Sequence, residues 1–143
     1  MAGKTEYPAG SLDNIGFVSI FTRYQGKWVY CWHKRRESYE HPAGHVEPNE
    51  TPLEAAKREL FEEAGIKDCK IIPLWDYEYI WENGEGRNNG RVFYAEAQSL
   101  ETLPISEMDH IDFFETVPEI LTYNREEELN NIDKIEKMLK ILD

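Results

Sequence analysis

The sequence predicts an α/β domain in which a mixed sheet is covered by helices on both faces. Three observations predict it. Segments rich in aromatic and β-branched residues run in the order strand, strand, strand, helix, strands, helix, which layers as helix–sheet–helix. Residues 52–64 and 125–142 each carry a helix start signal and one apolar face. Trp75, Tyr77, Tyr79 and Trp81 alternate, the period of a strand, so all four are expected on one face.

Taken in order, residues 1–11 are polar, contain Pro8, Gly10 and Ser11, and read as a loose tail. Residues 14–24 hold Ile15, Phe17, Val18, Ile20 and Phe21 and read as a strand. Gln25-Gly26-Lys27 is a short turn, and residues 28–33 form the second strand of a hairpin. The basic cluster Lys34-Arg35-Arg36 follows. Residues 39–46, with Pro42, Ala43 and Gly44, read as a short strand leading into a loop.

The helix over 52–64 has the clearest signals. Thr51 and Glu54 make a capping box, Pro52 takes the first helical position, and Gly65 stands where a left-handed cap belongs. Leu53, Ala56, Leu60 and Ala64 form its apolar face. Residues 69–82 predict a long strand, 84–90 a turn, 91–97 its partner, 100–108 a loop and 110–114 a short strand. Thr116 with Glu119 predicts a second capping box and a helical turn, and Asn124 with Glu127 a third, opening the last helix. There Leu129, Ile132, Ile135, Leu139 and Leu142 make a stripe that covers the protein's own sheet; a homodimer contact is the minority reading.

The 143 residues suffice for a single domain spanning 1–143 with a real core. No apolar run reaches the ~20 residues of a membrane span, and the first thirty residues lack a signal pattern. Cys31 and Cys69 read as free thiols in a reducing compartment, so the expected location is cytoplasmic and away from membranes. A net charge of −12 argues against binding a nucleic acid polymer over a broad surface. It leaves room for a small phosphorylated substrate whose charge is met by metal ions.

One helix face breaks local rules. Glu59, Glu62 and Glu63 lie at i, i+3 and i+4, where like charges repel, and they crowd a helix end that prefers cations. Violations of this kind mark functional sites, and a hard divalent cation would turn the repulsion into attraction. A solvated acidic face is the common alternative; Arg58, four residues before Glu62, and the position at the helix end count against it.

Gly44, Glu50 and the run Arg58-Glu59-Leu60-Phe61-Glu62-Glu63-Ala64-Gly65-Ile66 together resemble a complete Nudix box. The resemblance implies an α/β/α sandwich with the box as loop–helix–loop. It also implies water attack on a diphosphate bond in a nucleoside diphosphate derivative: a nucleoside triphosphate, a modified one, a nucleotide sugar or a dinucleotide. Two or three Mg²⁺ or Mn²⁺ ions would bridge the phosphates. Glu59, Glu62 and Glu63 would be metal ligands, joined by the carbonyl of Gly44, with Arg58 orienting the carboxylates and Glu50 holding the loop. The family often adds a downstream acid as ligand or general base. Among Glu107, Asp109, Asp112 and Glu115, Glu107 is favoured by its spacing from the following strand. The base is thus either a helix glutamate or a loop acid.

Arg35 and Arg36 are candidates for the distal phosphate as forked donors, against plain solvated charge. His41 and His45 flank Gly44; Mg²⁺ prefers oxygen, so substrate contact or structure is expected of both. The aromatic stripe suits base stacking as well as sheet packing, and Tyr79 approximates a Tyr of dinucleoside polyphosphate hydrolases. Tyr39, His41 and Ala43-Gly44-His45 depart from the mutator-type pattern for oxidised nucleotides. Trp81-Glu82-Asn83 lacks the Pro usual in ADP-ribose pyrophosphatases. The intact box is unlike the degenerate one of isoprenoid diphosphate isomerases. A binding or sensor module is the alternative function, disfavoured because such domains usually lose the carboxylates that this chain keeps.

Overall fold

Thr51 and Gly65 set the ends of the first helix, α1 (Pro52–Ala64). The Thr51 hydroxyl accepts from the Glu54 N–H at 3.1 Å, and the Glu54 carboxylate accepts from the Thr51 N–H at 2.9 Å, a full capping box. Gly65 closes the helix at φ 67°, and a Cβ there would lie 2.8 Å from the Glu101 carbonyl, so only glycine fits. The buried face is Ala55, Ala56, Leu60 and Ala64. Leu53, expected on that face, is exposed; the small Ala55–Ala56 pair takes its place and lets the helix sit close to the sheet.

The computed structural model describes residues 3–84 and 86–142, the last of them, Leu142, by its backbone alone. The remaining strands are β1 (Gly3–Pro8), β2 (Phe17–Tyr24), β3 (Lys27–His33), β4 (Ser38–Glu40), β5 (Ala43–His45), β6 (Cys69–Ile80), β7 (Arg87–Ala97) and β8 (Met108–Phe114), with a second helix α2 (Arg125–Leu142). The main path of the sheet runs β1-β6-β7-β2-β3-β4, with β5 added to β2 and β8 to β3. β2 and β7 are parallel from Phe17–Gly90 to Tyr24–Ala97, and the other pairings between these strands are antiparallel. The sheet is therefore mixed, as the sequence predicts.

β2 alternates strictly. Val18 and Ile20 join the α1-side core with Val29, Leu60, Ile66 and Phe93. Phe21 faces the other way, into a core of Trp28, Tyr30, Trp75, Tyr94, Ile132 and Ile135 under α2. The stripe on α2 thus covers the protein's own sheet; the Leu142 side chain lies outside the described residues. No helix among the described residues is long and apolar enough to cross a membrane.

Four local readings are corrected. Residues 3–8, read as a loose tail, pair with β6 from Gly3–Ile80 to Pro8–Trp75. Backbone pairing needs no apolar pattern, so the sequence carried no sign of it. The predicted hairpin of β2 and β3 forms, paired at Arg23–Trp28 and Tyr24–Lys27, but residues 39–46 are not one strand: β4 pairs with β3 and β5 with the far end of β2. Pro42, which has no N–H, falls in the break between β4 and β5. Residues 116–119 form no helical turn. Pro118 disfavours helical geometry at Val117, and the carbonyls of Val117 and Pro118 are taken by Arg125. At the start of α2 only half of the expected box exists. Asn124 Oδ1 accepts from the Glu127 N–H, but the Glu127 carboxylate reaches across to Lys4.

β1 and the loop after it are tied down by Asp76. This fully buried carboxylate accepts from Arg91 Nε at 2.6 Å and from the Gly10 and Leu12 N–H groups, both at 3.0 Å. Burial pushes the Asp76 carboxyl up, but Arg91 and the two N–H groups outweigh it and hold it below its ordinary range. The resulting stability is present above the unfolded-chain pKa and is lost as pH falls through the native value. Asp76→Asn is therefore expected to lower the melting temperature by several degrees at pH 7 and to flatten its fall in acid. Thermal unfolding across pH 2–7 checks this.

Candidate active site

The site is built where α1 meets β5. Glu63 Oε1 accepts from the Ala43 N–H at 2.9 Å. A Cβ placed on Gly44 would fall 2.4 Å from Glu59 Cδ, so the Glu59 carboxylate occupies the space that a side chain at 44 would fill. The sequence puts a glycine here for close approach, not for an unusual backbone angle.

Arg58 joins the loop to the helix. Its Nε and Nη2 fork onto Glu50 at 2.8 and 3.0 Å, and Nη2 also donates to the His45 carbonyl at 3.0 Å. Nη1 donates to Glu59 at 2.7 Å, while Glu62 stands farther off at 3.5 Å. Glu50 additionally accepts from the Glu47 N–H at 3.0 Å. The Arg58 fork, helped by that N–H, pulls the Glu50 carboxyl down to about 2.

The two carboxyls facing β5 shift the other way from Glu50. Burial pushes Glu59 up, partly offset by Arg58. Burial pushes Glu63 up to about 8 against the pull of the Ala43 N–H, and the negative charges of Glu59, Glu40 and Glu107 add to the rise. The last turn of α1 holds no basic residue. This face resists gathering its own negative charge and is relieved by any cation that enters.

These groups border a cleft of about 600 Å³. Glu59, Glu63 and Gly44 form one wall, and Glu107 and Arg36 come from the segments around β8 and β4. Glu107 Oε2 lies 3.2 Å from Nε2 of the buried His33. Nδ1 of His33 accepts from the Arg36 N–H at 3.1 Å, so Nε2 carries the proton and donates to Glu107. Arg36 Nη1 donates to Glu40 at 2.7 Å, and Glu40 also accepts from the Thr122 hydroxyl at 2.8 Å.

A larger groove of about 1070 Å³ opens beside the cleft, between the sheet and α2. Phe17, Ala43, His45 and Tyr123 line both, so the two spaces adjoin. Trp75, Tyr77 and Tyr79 lie along the groove. Trp81, expected on the same face, falls beyond the end of β6 and packs over Gly86, where a Cβ would meet its ring at 2.5 Å.

The structure thus brings Gly44, Glu59, Glu63, Glu107, Arg36 and His45 to one cleft, with Arg58 behind them and Tyr79 at the exposed end of the groove. Glu62 is half-exposed at the rim and does not line the cleft. Arg35 is exposed and lines neither space. Sequence reasoning missed Glu40, Thr122, Tyr123 and His33. Arg36 and Glu40 at i, i+4 were the only visible hint, and nothing local places residues 122–123 beside them.

Among the described residues no three His, Cys, Asp or Glu side chains are gathered within reach of one ion. Arg58 engages Glu59 and the Ala43 N–H engages Glu63. The side-chain donors on this side of the helix are nevertheless all carboxylate oxygens. That chemistry fits Mg²⁺ or Mn²⁺ and not a soft metal.

Comparison with known proteins follows the same line. A model of the NUDIX domain matches residues 13–135. YtkD of Bacillus subtilis (strain 168), which carries a provisional name as an 8-oxo-dGTP diphosphatase, is 30% identical over 128 residues, 90% of this chain and 75% of that one. An RNA pyrophosphohydrolase of Bartonella henselae is 40% identical over 73 residues; the match spans 46% of this chain and only 42% of that protein. The crystal structure of a point mutant of the Bacillus subtilis pyrophosphohydrolase BsRppH superposes with a TM-score of 0.73 at 27% identity, covering 99% of this chain and 89% of that one. An Ap4A hydrolase of C. elegans, TM-score 0.63 at 17% identity, covering 87% of this chain and 98% of that one, shares the fold.

Proposed function

Because the chain belongs to the NUDIX domain family and is a hydrolase of pyrophosphate bonds, we propose that it cleaves a nucleoside triphosphate or a 5′-triphosphorylated oligonucleotide by attack of water at phosphorus. The observation that carries this reading is the carboxylate cleft adjoining the aromatic groove, with Phe17, Ala43, His45 and Tyr123 bordering both. A substrate with its phosphates among Glu59, Glu63 and Gly44 has its nucleoside directed past His45 and Phe17 into the groove.

Glu59, Glu62, Glu63 and the Gly44 carbonyl would hold the divalent ions. When bound, Mg²⁺ or Mn²⁺ neutralises the phosphate oxygens and acidifies water. The chain's own residues do the rest. Arg58 fixes the Glu59 carboxylate through its 2.7 Å bond and braces the 45–50 loop through Glu50. Arg36, at the cleft with its guanidinium on Glu40, is placed to meet the distal phosphate. Two groups suit the proton leaving the attacking water: a glutamate of α1 such as Glu63, and Glu107, whose carboxylate is steadied by the His33 Nε2–H. The new P–O bond forms to water as the bridging P–O bond breaks, and the leaving phosphate carries away the electron pair.

The names of the relatives widen the panel that tests this. Despite the departure from the mutator-type pattern, 8-oxo-dGTP belongs on it, and so does an RNA with a 5′-triphosphate. Nucleotide sugars and dinucleoside polyphosphates complete it. Turnover of a triphosphate with Mg²⁺ or Mn²⁺, abolished by chelation, is the expected result. Folded protein that releases no product from any of them overturns the reading.

Gly44→Ala gives a local test. The new Cβ collides with the flexible end of Glu59 and not with backbone, so Glu59 shifts and the fold is kept. The melting temperature is expected to stay within a few degrees, while half-saturation by Mg²⁺ rises and turnover falls about 10–100-fold. Metal titration of the activity beside a thermal melt measures both.

A further inference from the structure

We propose that Glu40 is the positioning residue of Arg36: it holds the guanidinium by one end, so that the free side edge takes the terminal phosphate of the substrate. The proposal rests on the reading that Arg36 meets the distal phosphate.

Five carboxylates line the cleft, those of Glu40, Glu47, Glu59, Glu63 and Glu107. Among the described residues Arg36 is the only Lys or Arg that lines it with them. Arg36 sits on the turn between β3 and β4, and its side chain is 50% exposed. A half-exposed arginine left to itself samples many rotamers, and ordering it on binding lowers affinity. Here the residue is tied at its backbone and at its tip. The Arg36 N–H donates to Nδ1 of the buried His33 at 3.1 Å, and the Glu37 N–H donates to the His33 carbonyl at 2.9 Å. At the tip, Nη1 donates to Glu40 Oε2 at 2.7 Å. Among the described residues Nε and Nη2 bond to nothing. These two groups form the side edge of the guanidinium, whose fork matches two oxygens of one phosphate.

Glu40 is itself held in place. Its side chain is 6% exposed, and its backbone pairs with Cys31 between β4 and β3. The same Oε2 accepts from the Thr122 hydroxyl at 2.8 Å. Because that proton goes to Glu40, the Ser38 hydroxyl donates to Thr122 Oγ1. Backbone bonds bring Thr122 there. The Tyr39 N–H donates to the Ile120 carbonyl at 2.9 Å and the Thr122 N–H to the Tyr39 carbonyl at 3.0 Å, which lays residues 120–122 along β4. Ser38, Thr122 and Glu40 thus make one chain of hydrogen bonds that ends on Arg36.

Charge alone predicts the opposite effect for Glu40. A carboxylate in a cleft that takes phosphates repels them, so its removal should help an anionic substrate. Positioning requires that its removal hurt, and only while Arg36 is present.

The experiment measures kcat/KM with Mg²⁺ for GTP, ATP, 8-oxo-dGTP and a short RNA with a 5′-triphosphate, in a cycle of Arg36→Ala, Glu40→Ala and the two combined. On the substrate that the wild type turns over best, Arg36→Ala is expected to lose about 10–100-fold and Glu40→Ala about tenfold. In the Arg36→Ala background, Glu40→Ala is expected to lose less than about twofold or to gain. Thr122→Val removes the brace at an exposed position. It is expected to lose about threefold with Arg36 present and nothing without it. Thermal melts show which variants fold, and Thr122→Val decides if Glu40→Ala does not. Equal losses in both backgrounds, or a gain from Glu40→Ala with Arg36 present, overturn the role of Glu40 alone. An unimpaired Arg36→Ala overturns the role of Arg36 and this proposal with it. A wild type that hydrolyses none of the four sinks the proposal together with the triphosphatase reading.

Discussion

Glu62→Gln is expected to lower metal-dependent turnover on the order of a hundredfold or more while leaving the metal-free melting temperature unchanged or slightly higher. The opposite signs follow from position. Glu62 is half-exposed, and its contact with Arg58 is the weak one at 3.5 Å, so little structure is lost with its charge. Its neighbours on that side of the helix are Glu59 and Glu63, and the last turn has no basic residue, so removing one charge relieves repulsion. The same change withdraws an anionic oxygen from the proposed cation-binding set. Glu54→Gln is the control. It lies on the same helix, and its side-chain oxygen still accepts from the Thr51 N–H, so both activity and stability should be nearly kept. Kinetics at limiting Mg²⁺ and melts in chelator measure the two effects. Near-normal turnover of Glu62→Gln at limiting Mg²⁺ would remove this helix side as the metal site.

Arg58→Lys should damage both properties at once. The guanidinium makes a fork on Glu50, a bond to Glu59 and a bond to the His45 carbonyl, and a single ammonium point charge reproduces one or two of these at most. Losing the fork frees the 45–50 loop, and with it the segment that sets Gly44 against Glu59. The melting temperature is expected to fall by several degrees and turnover by about 10–100-fold, with a raised Mg²⁺ requirement, as for residues that orient ligands without being ligands. The Glu50 carboxyl, held near 2 by this arginine, should return toward its ordinary range. NMR titration of that carboxyl separates an orienting role from direct substrate contact. A Glu50 that still titrates near 2 in Arg58→Lys would mean that the fork is not what holds the loop.

The box helix was legible in the sequence to the residue. Its determinants are local: Thr51 with Glu54, Pro52, and Gly65 act within a turn or two of the chain, and so do the Arg58–Glu62 spacing and the crowding of glutamates. The strand β2 and the stripe on α2 were legible for the same reason, because each shows in its own segment's apolar residues. The β1 strand was not, since its order comes from backbone pairing with β6 and from Asp76, both distant in sequence. Residues 116–119 showed the reverse failure, a local capping signal overruled by Pro118 and by Arg125 claiming the carbonyls. The site divides along the same line. Which glutamates share a helix face is fixed by 3.6 residues per turn, so the sequence determined it. That Glu107 reaches the cleft on His33, that Arg36 lies on Glu40, and that Tyr123 borders both the cleft and the groove were decided only by tertiary structure. These contacts join residues brought near by sheet pairing and by α2, and pairing across such separations leaves no periodic trace in the chain.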